Sequence, residues 1–350
     1  MEIFDYIKAK AQALFWNEYQ ANQSEAPFLG DELFPAEKQA GLDMSFIKGA
    51  SGVAAVLSLS AFDAKALGRN RIGFSEMSAE MPFFKNDMKL NEKLRQKLIT
   101  ASTNSNSAYF DEVLRRIFED NMQLLKGAAA TRERMRMQLI TTGVISIVSN
   151  GQEYQYDYQM DETQKTSAVK AWSDSSADIV ADIIAAQDAI EAKTGVRPTR
   201  AICRRSVLRN IMKNELIKKS IYVLGDGAVN ISEASARAFI EEQTGVTIAV
   251  YEKIYKDEEG TVQYYMPDDL FVLLPTETIG RTLFGTTPEE ADLVVSNVAD
   301  VAIVDTGVAI STYGETDPVT RTTKVSEIVM PTAENLDKVA IIDIEPTQSA

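Results

Sequence analysis

The sequence predicts an α+β protein built around one long helical rod, and three observations carry that reading. An apolar stripe at helical spacing persists for about 35 residues, from Ser107 to Thr142. Between residues 174 and 295 the grammar turns to short alternating helices and strands. The chain then ends on strand-rich segments, DVAIVDTGVAISTY, TTKVSEIVMP and KVAIIDIE.

Each element has a local cause. Residues 3–19 place Ile3, Phe4, Ile7, Ala11, Leu14, Phe15 and Tyr19 on one stripe of an amphipathic helix. That face has nothing of its own to pack on, so it must dock elsewhere in the chain or on a neighbour. Ala26-Pro27 and Gly30 end it. Residues 33–84 hold short apolar dashes instead: LDMSFI and VAAVLSL read as strands around KGASG. IGFSEMSAEMPFF alternates, with Ile72, Phe74, Glu76 and Ser78 on one face. The sum is a long two-stranded excursion, and an isolated ribbon of that kind is marginally stable in water.

LNEKLRQKLITAS is a first helix, broken by TNSNS. The rod follows, with Phe110, Val113, Leu114, Ile117, Phe118, Met122, Leu125 and Ala129 on its stripe. Asn106 or Ser107 caps its start, and Gly143 is a natural stop. Gly127 costs only about 1 kcal/mol relative to Ala, so one continuous helix is expected rather than two split at that residue. VISIVSNGQEYQYDYQM is a hairpin over Asn150-Gly151. SDSSADIVADIIAAQDAIEAKTG and ISEASARAFIEEQTG are capped helices closing on Gly195 and Gly245. TRAICR is a short strand, RSVLRNIMKN a short helix, VTIAVYEKIYKDEEGTVQYYM a hairpin over Asp257–Gly260, and LFVLLP a buried strand. The late strands are expected to return to the helical rod and complete its domain.

Composition narrows the function. The net charge is −15, which repels nucleic acid from the molecule as a whole. The chain has no histidine, which removes the commonest general base, the usual zinc ligand and every imidazole triad. The lone Cys203 makes no internal disulfide, which fits a reducing cytoplasm, and reads as a small buried apolar residue. No apolar run approaches the roughly 18–20 residues of a membrane span, and the N-terminus lacks a secretory pattern. LGDGAVN lacks the spacing of a dinucleotide loop, KDEEG lacks that of a calcium loop, and SDSSAD is explained by helix capping. The basic spots Arg115-Arg116, Arg132, Arg134, Arg136 and Arg204-Arg205 lack interleaved aromatics, so ion pairing explains them better than nucleic acid. The tyrosines of YQYDYQ are accounted for as strand residues. No catalytic constellation, cofactor site or metal site is expected.

In this order, an N-terminal arm, an extended excursion, a long spine helix, a hairpin, an α/β domain and returning strands resemble the Hong Kong 97-type fold of tailed-phage major capsid proteins. More specifically, the chain resembles the lambda-type major capsid protein E family. LFP at 33–35 with AFDAKALGRNRIGFSEMSAEMPFF is similar to that family's extended loop, and NEKLRQKLI with DEVLRRIFEDNMQLLKGAAA to its spine. YYMPDDLFVLLPTETIGRTLFGTTPEEAD resembles the segment near the capsomer axis, and GETDPVTRTTKVSEIVMPTAENLDKVAIIDI the closing segment.

The resemblance implies an arm at 1–30, an extended loop at 31–86, a spine and peripheral domain at 87–172, an axial α/β domain at 173–297 and closing strands at 298–350. Residues 1–28 are too few for a scaffold-like domain ahead of the arm. The resemblance also implies hexamers and pentamers closing an icosahedral shell around double-stranded DNA, with a portal, a scaffolding protein and a decoration protein as further partners. Two readings stay open beside it: an encapsulin-like compartment, and a histidine-free enzyme using carboxylates. Intersubunit contact is expected at Phe46, Ile47, Val53, Val56, Leu57, Phe74 and Phe83 of the extended loop. It is also expected at Gly280, Arg281 and Gly285, in a glycine-bounded exposed loop at the capsomer axis. A lysine cross-link through Lys48 or Lys65 is conceivable in such a fold.

Overall fold

The computed structural model describes residues 7–22, 26–48, 75–103, 107–149, 152–222, 230–293, 299–317 and 319–346. The chain divides into two units, each assembled from three separated stretches. The first takes residues 1–45, 78–133 and 281–331; the second takes 46–77, 134–280 and 332–350.

The first unit is organised by the strand Val319–Pro331. Its long alternating sequence pairs antiparallel with Val308–Thr316 on one side, and on the other with Phe83–Leu90 and then Thr282–Phe284. Asp300–Val304 extends the sheet beyond Val308–Thr316, and Ala36–Lys38 runs parallel to Thr282–Phe284. Because side chains alternate along a strand, Thr323 and Val325 share a face with Thr312 and Ile310. The N-terminal helix, Ala9–Asn22, docks on this unit. Gln12 Nε2 donates to Thr323 Oγ1 at 3.2 Å, where Asn121 of the spine also donates at 3.3 Å. Phe15 packs on Phe118 with ring centroids 5.5 Å apart.

That helix is rotated from the expected phase. It buries Ala9, Gln12, Ala13 and Trp16, while Leu14 is 58% exposed. The hydrogen bonds decide the phase. Gln12 donates to buried Thr323 and Trp16 to part-buried Asp305, the Ala9 amide donates to Asp300 at 2.6 Å, and small Ala9 and Ala13 allow a close approach.

A buried charge cluster ties this unit together. Arg132 Nη1 donates to Glu327 at 2.6 Å, and Nη2 to Asp305 at 3.1 Å. Asp305 also accepts from Trp16 Nε1 at 3.1 Å and from Gln20 at 3.2 Å. Burial opposes the guanidinium's charge, but the Glu327 and Asp305 carboxylates outweigh it and hold the group protonated.

The spine helix runs unbroken from Ser107 to Thr142, 36 residues, and ends on Gly143 in the left-handed region at φ 78°. At 1.5 Å per residue it is about 54 Å long. Gly127 does not interrupt it, and open space surrounds the position where its Cβ would stand.

The second unit holds a five-stranded sheet in the order Lys165–Ser167, Ala340–Asp343, Leu270–Leu274, Arg200–Cys203, Thr247–Val250. The three central strands are antiparallel and the two edges parallel to their neighbours. Four helices accompany it, Ile179–Thr194, Arg205–Lys213, Glu215–Ile221 and Glu233–Thr244. Asp178 and Ser232 cap two of them, and Gly195 and Gly245 end those two in the left-handed region. Trp172, Ile183, Phe271, Leu273 and Ile342 lie in its core, with Trp172 Nε1 donating to buried Asp182 at 2.9 Å.

Two expectations change here. KVAIIDIE does not join the sheet of the other late strands; its strand Ala340–Asp343 is inserted beside the central strand of the α/β sheet, where both of its edges are paired. TIAV is an edge strand of that sheet rather than part of a hairpin. The hairpin that follows is shorter, Ile254–Lys256 with Val262–Tyr264. The hairpin over Asn150-Gly151 forms, Val144–Ser149 pairing with Gln152–Asp157, its two turn residues lying outside the described set.

Two glycines should respond oppositely to alanine. Gly127→Ala fills open space on a helix and should raise stability by about 0.5–1 kcal/mol. Gly280→Ala would drive its Cβ into the backbone carbonyl of Thr332 and should cost about 1–3 kcal/mol or more. Thermal melts of the two variants check the signs. In the charge cluster, Arg132→Met alone takes the guanidinium away from buried Glu327 and should cost about 3–5 kcal/mol. Arg132→Met/Glu327→Met should cost less than the single change, as read by urea denaturation.

Candidate assembly surfaces

The extended-loop residues separate by environment. Asp43–Lys48 and Ser75–Glu80 form a two-stranded ribbon. Ile47 is 51% exposed on it, as an intersubunit contact requires. Phe46 is not available for that role: it is buried and stacks on Tyr158 at 5.9 Å within its own chain. Val53, Val56, Leu57 and Phe74, and Lys65, lie outside the described residues. Phe83 belongs to the sheet of the first unit rather than to the ribbon, since its strand pairs with Val319–Pro331 and Phe83 sits opposite Ile328. It remains half-exposed, with Lys85 Nζ 5.1 Å from its ring centroid.

The segment expected as an exposed axial loop is largely buried. Ile279, Thr282, Leu283 and Phe284 are buried, and Thr282–Phe284 is a strand paired on both sides. Its glycines serve close backbone approach, not exposure. Gly280 abuts the Thr332 carbonyl, and a Cβ on Gly285 would stand 2.7 Å from the Gly41 carbonyl. Arg281 alone is exposed, and it is paired with Glu37 at 2.7 Å.

Reading by motif passed over a second set of surfaces, all in the second unit. The ribbon Ile254–Lys256/Val262–Tyr264 places Ile254 opposite Tyr264 and Lys256 opposite Val262. Tyr255, pointing to the other face, stacks on Tyr265 at 4.8 Å and lies under Arg134 at 5.5 Å. That face is finished. Ile254, Val262 and Tyr264 stay exposed, although the Arg204 guanidinium covers one side of the Tyr264 ring at 3.5 Å. At the tip, Asp257 Oδ1 accepts from the Glu259 and Thr261 amides, and Glu258 pairs with Arg134 at 2.7 Å. The helix Arg205–Lys213 carries Arg205, Arg209 and Lys213 at i, i+4 and i+8, one exposed stripe. The period-2 and 3.6 patterns were present in the sequence; the neighbours that finish one face and leave the other open were not.

No cluster of three or more His, Cys, Asp or Glu that could hold a metal is present among the described residues, and no described helix is long and apolar enough to cross a membrane. Burial pushes the Cys203 thiol up to about 12, which keeps it a neutral core side chain.

Comparison with known proteins places this architecture. The solved capsid protein of a prophage of E. coli CFT073 superposes with a TM-score of 0.59 at 16% identity, covering 96% of this chain and 99% of that one. A phage-related protein from Bordetella bronchiseptica RB50 gives 0.53 at 12% identity over 95% and 96%. The capsid subunit of cyanophage A-1(L) gives 0.50 at 12% identity over 92% and 93%. These show a shared fold over more than nine-tenths of each chain. No curated protein sequence matches this one. The phage major capsid protein E family matches residues 18–336. With nearly the whole chain inside that match, the protein belongs to the phage major capsid protein E family and is a structural protein, not an enzyme.

Proposed function

We propose that many copies of this chain form the hexamers and pentamers of an icosahedral shell enclosing double-stranded DNA. The family match over residues 18–336 carries the reading. The shell is the capsid of a virion, assembled in the cytoplasm of a bacterial host, with a portal, a scaffolding protein and a decoration protein as partners. A net charge of −15 suits a container that encloses DNA without gripping its sequence. The segment between the strands Asp43–Lys48 and Ser75–Glu80 acts as a clamp on an adjacent subunit. Val53, Val56, Leu57 and Phe74 there, with Ile47 on the ribbon, supply its apolar contacts, each contributing roughly 1.5–3 kcal/mol when buried.

Two measurements test this. The purified chain should give closed particles in negative stain and a particle mass far above that of a small oligomer; a stable monomer or dimer at all concentrations would refute the shell. Replacing residues 49–74 by a short Gly/Ser bridge should leave the circular dichroism of a folded protein and abolish particles. A deletion that unfolds the chain, or one that still closes normal shells, would contradict the clamp.

A further inference from the structure

Among the described residues, two surfaces of the second unit are left unfinished, one a cationic stripe and the other a ribbon with an acidic tip. Arg205, Arg209 and Lys213 are exposed on one stripe, and none has an ion-pair partner among the described residues. Like charges at this spacing repel one another. Just beyond the stripe, Leu216 and Tyr222 are 43% and 44% exposed. Residues 205–222 carry five cations against the single carboxylate Glu215, in a chain of net charge −15. Among the described residues the stripe lacks its counter-charge.

The hairpin ribbon has the complementary character. Its tip bears Asp257, Glu258 and Glu259, and Glu259 has no ion-pair partner among the described residues. Its open face bears Ile254, Val262 and Tyr264, exposed by 54%, 52% and 45%, with Lys256 beside Val262 as its one cation. A two-stranded ribbon cannot cover such a face with its own residues.

We propose that the ribbon of one copy docks on the cationic stripe of a second copy. Its acidic tip meets Arg209 and Lys213, and its apolar face covers Leu216 and Tyr222. This contact rests on the shell reading above and names one interface within it. It joins two different patches, so it is head-to-tail, the type that propagates from copy to copy and closes into rings. Phosphates of enclosed DNA are the competing counter-charge for the stripe. They would leave Leu216, Tyr222, Ile254 and Val262 uncovered, which is why a second copy is the better occupant.

The test compares particle formation by full-length chains using sedimentation and negative stain. Arg209→Glu/Lys213→Glu should raise the concentration needed for assembly by about tenfold or more. Adding Glu259→Lys should recover part of the loss. Should the stripe variant lose its native circular dichroism, Ile254→Asp, at a side chain already half-exposed, decides by the same readout. A stripe variant or Ile254→Asp chain that is folded and assembles like the wild type overturns the contact and leaves the shell reading standing. Normal shells that hold less DNA would assign the stripe to the nucleic acid and overturn it equally. A wild-type chain that never assembles removes the shell and this interface together.

Discussion

A guanidinium buried in the first unit constrains everything around it. Arg132 must be neutralised where it stands, and its partners come from the far end of the sequence: Asp305 from a turn, Glu327 from the organising strand. Asp305 in turn holds Trp16 of the N-terminal helix. Four stretches of chain that are distant in sequence therefore meet at one charge. Without both carboxylates the guanidinium would be a stranded buried ion, at a cost that surface ion pairs never approach. The cluster selects one arrangement of arm, spine and sheet, and the rotated phase of the N-terminal helix is one consequence.

The surfaces obey the reverse logic. The helix stripe Arg205–Lys213 and the hairpin face Ile254–Tyr264 have no such closure among the described residues, although the opposite face of that hairpin is stacked and paired. The contrast between finished and unfinished faces of the same small element is what a repeating subunit requires. Its folding energy sits in buried strands and buried ion pairs such as the Arg132 cluster, and under the proposed contact its assembly energy sits in faces that a neighbour completes.

Much of the architecture was legible because it is written in local periodicity. The spine's stripe survived Gly127, and Gly143, Gly195 and Gly245 mark helix ends where the chain turns left-handed. Partner choice at long range was not legible. KVAIIDIE reads as a buried strand whichever sheet it joins, and only its pairing with Leu270–Leu274 and Lys165–Ser167 decides. The segment at 279–285 misled for a related reason. Glycines mark exposed turns and close backbone contacts alike, and here Gly280 and Gly285 serve the second. Phe46 failed as a surface residue because Tyr158, more than a hundred positions away, covers it. Of the cationic stripe only Arg205 was read, within the basic spot Arg204-Arg205, since its lack of ion-pair partners is a property of the folded unit.

Hydrogen exchange on the dissociated subunit and on assembled particles compares the two kinds of face directly. Amides of Val319–Pro331 should be equally protected in both states, because the chain itself completes that strand. Amides of Ile254–Lys256, Val262–Tyr264 and Arg205–Lys213 should gain protection only in the particle. Equal exchange of these segments in both states, or a uniform slowing across the whole chain, would contradict the division between self-completed cores and neighbour-completed faces.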